Sequence, residues 1–167
     1  SINGADNVEE SSYLAEIFFR YNQNEKGLKQ LLKQIDPNLN RRDYPENSFS
    51  VIGTFAVGLM GIEPHASQNL ITTISHLSPP TNWAEMKNIP VFNNLIDVHH
   101  SGSKESRMTN QTGNEFLWQA AFPIISNVLT VNGESTRCER TVRNGLTISY
   151  VIVRIKAGKT TTFQVPF

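Results

Sequence analysis

IISNVLTVNGESTRCERTVRNGLTISYVIVRIKAGKTTTFQVPF, residues 124–167, is the stretch that decides the fold. Short runs rich in Val, Ile, Thr and aromatic residues alternate with Asn132-Gly133, Asn144-Gly145 and Ala157-Gly158. Such dipeptides reach the left-handed backbone conformations that tight hairpins need, so the pattern predicts a four-stranded antiparallel meander. A two-residue turn in KAGK pairs Ile152 with Phe163, Tyr150 with Val165 and Ile148 with Phe167, all on one apolar face. In VRNGL, a two-residue turn would bring Arg137, Glu139 and Arg143 to that face. A bulged loop with Gly145 brings Cys138 and Val142 there instead, and the cost of burying charge selects the bulge. Arg140 still reaches the inner face near an edge. A two-residue VNGE turn then adds Ile125, Leu129 and Val131 to the core.

Upstream, helical spacing takes over. Asp6 and Glu9 stand at capping-box distance before SSYLAEIFFRY, which places Tyr13, Leu14, Ile17, Phe18 and Tyr21 in a buried stripe. In GLKQLLKQI, Leu28, Leu31, Leu32 and Ile35 predict a second helix, with Lys29 and Lys33 outside and DPN as its stop. SFSVIGTFAVGLMG alternates apolar and small residues at period two and reads as a strand, its glycines allowing close packing or a bend. EPHASQNLITTISHL reads as a third helix, with Pro64 in its first turn. TNWAEMKN suggests a single helical turn. VFNNLIDVH reads as a short strand preceded by Pro90, which suits an edge or a strand start. NEFLWQAAF reads as a short helix or an irregular apolar segment ending at Pro123.

These elements fit one domain spanning residues 1–167, helical over 6–35 and a β-meander over 124–167. The expected class is α+β, with N-terminal helices packed on a curved, mainly antiparallel sheet. In element order alone this resembles the cone-shaped folds of the nuclear transport factor 2 type, which serve enzymes and binding modules alike.

Composition narrows function mostly by exclusion. Apolar residues at 38% and charged residues at 18% describe a folded rather than a disordered chain. The formal net charge is zero, yet the basic residues Arg137, Arg140, Arg143, Arg154, Lys156 and Lys159 face only Glu134 and Glu139 after residue 116. The C-terminal part is therefore basic and the rest acidic, an asymmetry suited to self-association or to an acidic partner, and too small to mark a nucleic-acid binder. Cys138 is the single cysteine, so no internal disulfide or Cys-based zinc site is expected, and a reducing, cytoplasmic or nuclear setting fits. The opening residues lack the pattern of a signal peptide. The longest apolar run, residues 49–62, is too short to span a bilayer.

The chemically suggestive stretch is IDVHHSGSKESRMTNQTGNE, residues 96–115. Asp97 lies two residues before His99 on one strand face, where it can orient an imidazole, while Lys104 and Arg107 can steady an anion. Together Asp97, His99, His100 and Lys104 describe a small hydrolase or nuclease site. The histidine-metal nucleases begin their motif with a similar pair, but the third ligand histidine is missing, since His65 and His76 lie upstream. Adjacent strand residues also point to opposite sides. The plainer expectation is that the pair forms the polar end of a strand entering a mobile loop over residues 101–114, its replacement by alanine nearly silent. The glycine-rich runs lack the residues of a phosphate loop, and no cofactor fingerprint is present. Asn110 opens an NQT sequon, relevant to a secreted chain.

The favoured expectation is a non-catalytic interaction or assembly domain, self-associating or docking on an acidic protein or on RNA. Its candidate contacts are Arg137, Arg143 and Lys156 around the meander, and Trp83 and Trp118 as aromatic anchors. A small-ligand pocket between sheet and helices is a further option.

Overall fold

The computed structural model describes residues 11–38 and 46–166. The proposed capping box at Asp6 and Glu9 and the pairing of Phe167 lie outside these residues. The α+β class holds, with the helices at the N-terminal end: α1 is Leu14–Arg20, α2 is Asn24–Gln34 and α3 is Glu46–Gly53, which widens into a π-helical stretch over Thr54–Leu59.

The helices meet around Phe19, which is fully buried. A Cβ added at Gly27 or at Gly58 would stand 2.8 Å from its ring. Glycine at both positions thus lets the backbones of α2 and the π-helical stretch approach α1 against a large side chain. Residues 46–59 are therefore helical, not a strand. Their period-two reading arose because this helix carries apolar residues on both sides: Thr54, Gly58 and Leu59 face inward, while Phe49, Ile52 and Val57 face outward.

The strands are β1 Glu63–His65, β2 Leu70–Ile74, β3 Trp83–Val91, β4 Asn94–Ser101, β5 Glu105–Thr112 and β6 Phe116–Phe122. They continue with β7 Val128–Val131, β8 Glu134–Arg137, β9 Glu139–Arg143, β10 Leu146–Ile155 and β11 Lys159–Gln164. Instead of one curved cone they form two sheets, a five-stranded one in the order β1-β2-β6-β10-β9 and a six-stranded one in the order β3-β4-β5-β11-β7-β8. All pairings are antiparallel except β2 with β6. Trp118 of the first sheet meets Phe163 of the second edge-on at 4.8 Å between ring centres. Both are fully buried and, with Ile71, Ile96, Val98 and Met108, belong to one core.

Three segments whose spacing suggests a helix, a helical turn, and a short helix or irregular apolar segment are strands. Residues 63–74 hold β1, a short 3₁₀ turn and β2. Asn69 is left-handed (φ 47°), and the β-branched Ile71, Thr72, Thr73 and Ile74 are buried on both faces, as a central strand beside a parallel partner requires. Residues 83–91 form an edge strand, consistent with Pro90, and Phe92-Asn93 turns it into β4. Residues 116–122 are β6, buried between β2 and β10.

The C-terminal turns survive while the sheet partners change. Val131 pairs with Glu134 as expected. Arg143 pairs with Leu146 across a two-residue turn, so no bulged loop forms. The argument against that turn fails because β9 is an exposed edge strand, where Glu139, Arg140 and Val142 all lie in solvent. β10 and β11 do not pair with each other: β10 lies between β6 and β9, and β11 between β5 and β7. Ile148 and Phe163 are buried as expected, but in different sheets, while Ile152 is 45% exposed and Ile125 is largely exposed.

Candidate functional site

The histidine pair separates as strand geometry demands. His100 points into the sandwich and is fully buried. Its Nε2 donates to the Met60 carbonyl at 3.0 Å, which leaves Nδ1 to accept the Ser106 hydroxyl at 2.5 Å. Burial holds its pKa down to about 4, so the ring is neutral and ties the six-stranded sheet to the end of the π-helical stretch. His76 is likewise depressed to about 4, by burial first and by the Arg143 charge second, and its Nδ1 meets Asn24 Oδ1 at 3.1 Å. Neither ring ends in a mobile loop. Residues 101–114 contain β5, whose Ser106, Met108 and Asn110 point into the core, and only residues 102–104 form the turn before it.

His99 faces outward, stacked on Trp83 with ring centres 6.1 Å apart and planes 16° from parallel. Asp97 shares that face but does not orient the ring. Its Oδ1 accepts the Asn88 backbone N–H at 2.8 Å, pinning the bulge in β3, and its Oδ2 accepts Gln111 at 2.5 Å. Lys104 sits in the β4–β5 turn. The structure thus joins Asp97 and His99 on one surface and sends His100 to the other side, so the four candidates form no common catalytic centre.

Asn110, the sequon asparagine, is fully buried. Its amide donates to the carbonyls of Asn114 and Ile155, at 2.9 and 3.3 Å, and its oxygen accepts Asn94 at 3.0 Å. In the folded chain this side chain has no access to a glycan-transferring enzyme.

The basic candidates are dispersed. Arg137 ends β8 of the six-stranded sheet, Arg143 ends β9 of the five-stranded sheet and pairs with Glu63, and Lys156 follows β10. The two tryptophans also differ in kind. Trp118 is a core residue whose Nε1 donates to Thr73 Oγ1 at 2.9 Å, whereas Trp83 is 63% exposed.

The largest departure from expectation is the helical layer. Ala15, Phe19, Leu28 and Leu31 are buried, but Tyr13, Leu14, Ile17 and Tyr21, assigned to the buried stripe, are exposed. Leu32 on α2 and Ile35 at its C-terminal cap are exposed too, as are Phe49 (75%) and Ile52 (63%) on α3. Leu14, Ile17 and Tyr21 are spaced by three and four; Leu32 and Ile35, like Phe49 and Ile52, by three. Each helix therefore carries an outward apolar ridge in addition to its inward one. In the first two helices the sequence carries apolar residues on two sides, which a single buried stripe does not account for; in the third, the same two-sidedness mimics the alternation of a strand.

Among the described residues no cluster of histidine, cysteine, aspartate and glutamate is placed to hold a metal ion, and no helix is long and apolar enough to cross a membrane. No protein-family model and no curated protein matches the sequence. Among solved structures, the chain is similar to Ara127N-Se, a GH127 β-L-arabinofuranosidase from Geobacillus stearothermophilus T6, with a TM-score of 0.40 and 13% identity. The match covers 72% of this chain and 18% of that one, a likeness too distant to carry an argument.

Proposed function

We propose that the chain is a non-catalytic assembly module that docks through the outer side of its helical layer onto an apolar helical surface. The observation that supports this is the set of exposed ridges on α1, α2 and α3, with Phe49 at 75% and Ile52 at 63% exposure. A helix apolar on one side only is satisfied by its own core, whereas one apolar on both sides has a second face to cover. Ridges at spacings of three and four interdigitate with ridges of the same kind, which favours helices as the partner over a flat sheet. The driving force is apolar burial, not the charge asymmetry between the two parts of the chain, and this reverses the expected response to salt. Contacts between opposite charges weaken as salt rises, whereas excluded salts such as ammonium sulfate strengthen apolar association.

The test is sedimentation of the isolated chain over a range of concentrations, with binding of a dye that fluoresces on apolar surfaces as a parallel readout. The expected result is concentration-dependent association or strong dye binding, increased by ammonium sulfate and lost in an Ile17→Gln/Phe49→Gln double variant. A wild-type chain that stays monomeric and binds no dye overturns the proposal. Association that dissolves in sodium chloride and survives the double variant also overturns it, in favour of charge-driven contact.

A further inference from the structure

We propose that the outer face of the six-stranded sheet binds a neutral oligosaccharide chain laid across Trp83. The inference starts from the exposed indole. It lies in an offset stack with the His99 imidazole, and 63% of the residue is exposed, so most of its surface is free for a ligand. His99 makes no hydrogen bond among the described residues, its buried Nδ1 being unpartnered, so its visible role is to hold the indole flat. Core packing in the sandwich is supplied by Trp118 and does not require a second tryptophan on the surface.

Strand register aligns planar and hydroxyl-bearing polar groups beside this ring. Trp83 lies opposite Ser101, which lies opposite Glu105. In the next row on the same face, Glu85, His99 and Arg107 stand side by side across three strands. Two shallow troughs follow these rows. One, of about 240 Å³, is lined by Glu85, Lys87, His99 and Arg107; the other, of about 480 Å³, by Ser101, Lys104, Glu105 and Gln164. Trp83 lines neither trough, but it pairs with Ser101 of the second and stacks on His99 of the first, which places the indole between them. Between Asp97 and Ser101 β4 advances about 13 Å, which accommodates a short chain better than a single ring.

Charge selects the chemical class. Glu85 lies 3.0 Å from Lys87 and 3.9 Å from Arg107, and on this face the cations Lys87, Arg107 and Lys104 stand among the anions Glu85, Asp97 and Glu105. A polyanion such as RNA draws its affinity from a surplus of cations, whereas around the indole three cations stand against three anions. A sugar ring offers what the face does match. Its C–H-rich side covers the π-surface of an indole, whose negative face attracts the slightly positive hydrogens. Its hydroxyls donate and accept at once, so they can add to the lone pairs and N–H groups that the rim carboxylates, guanidinium and amide keep beside their mutual contacts.

Trp83 is an exposed tryptophan and Trp118 a fully buried one, so ligand-dependent emission reports on this site. The probes are hexasaccharides of glucose, xylose, mannose, galactose and arabinose, each up to about 10 mM, with a single-stranded RNA oligonucleotide as comparison. At least one sugar is expected to give a saturable shift in emission, and calorimetry of Trp83→Ala and of Arg107→Ala should show binding weakened roughly tenfold or more. Circular dichroism matching the wild type excludes misfolding as the cause. No saturable shift with any of the sugars overturns the proposal. So does a response to RNA alone, and so does sugar binding that both variants retain.

Discussion

Phe19 and Gly27 are in contact so close that the glycine cannot be enlarged: a Cβ at position 27 would stand 2.8 Å from the ring of a fully buried phenylalanine. Gly58 approaches the same ring equally closely. Gly27→Ala and Gly58→Ala should each cost about 1–3 kcal/mol of stability through overpacking. Gly53 has nothing within 4 Å of an added Cβ and sits in helical conformation, so Gly53→Ala should be neutral or stabilising by about 0.5–1 kcal/mol. Urea unfolding of the three variants checks the contrast, and equal effects at all three would contradict the packing around Phe19.

The two adjacent histidines should behave in opposite ways. His100→Ala removes the partner of the Met60 carbonyl and the Ser106 hydroxyl and opens a cavity, a loss of about 2–5 kcal/mol. His99→Ala should cost less than about 1 kcal/mol, because the half-buried ring makes no hydrogen bond among the described residues and its removal relieves an unpartnered buried Nδ1. Thermal or urea unfolding of the two single variants decides this.

Stability should also depend on pH through His76 and His100. Both have folded-state pKa values lowered from 6.5 to about 4, so between these values the unfolded chain binds more protons than the folded one. Stability is then highest above pH 6.5 and falls as the pH drops toward 4, each ring adding a slope of at most about 1.4 kcal/mol per pH unit. Unfolding midpoints measured from pH 4 to 7 should flatten in His100→Gln relative to the wild type.

Asn110 should never carry a glycan in the folded protein. Expression through a secretory pathway followed by glycosidase treatment should leave the mass of the folded fraction unchanged. Asn110→Ala should cost about 1–3 kcal/mol, since it removes the side-chain donor to the Ile155 carbonyl and opens space in the core, while the Asn94 amide and the Asn114 carbonyl keep their bond to each other.

Phe163→Ala should cost about 3–5 kcal/mol, whereas Ile152→Ala should cost less than about 1 kcal/mol, since Phe163 is fully buried and Ile152 is 45% exposed. Calorimetric melting distinguishes this from the hairpin in which the two residues face each other, where both substitutions would be severe.

What could be read from residues alone was local. The Asn-Gly dipeptides mark two hairpins correctly because a positive φ at Asn132, Gly133, Asn144 and Gly145 is a property of the turn itself. The first two helices were legible from spacing, and the divergence of His99 and His100 from strand geometry. Partner choice was not legible, because β10 is set between β6 and β9 by its inward Val151, Val153 and Ile155, residues that would serve a β10–β11 hairpin as well. The polar sequence of β5 concealed a strand whose inward positions, Ser106 and Asn110, are filled by hydrogen-bonded polar side chains. For the candidate surfaces, Trp83 was singled out, but its stacking on His99 depends on cross-strand register, and the outward ridges on the helices depend on what the inward side already satisfies.

The order in which the chain visits its two sheets bears on how it folds. Adjacent parallel strands β2 and β6 are separated by the whole of β3, β4 and β5, which belong to the other sheet, and the chain returns to that sheet twice more, for β7–β8 and for β11. No cut divides it into one sheet and the other. The β3–β4–β5 meander involves only short-range pairings and can form early, while the five-stranded sheet waits for segments distant in sequence, a topology that favours slow folding. A fragment ending at Thr112 would keep β2 but lose β6, its parallel neighbour, and with it Trp118. Such a fragment should remain without cooperative unfolding, the two sheets gaining their stability together or not at all.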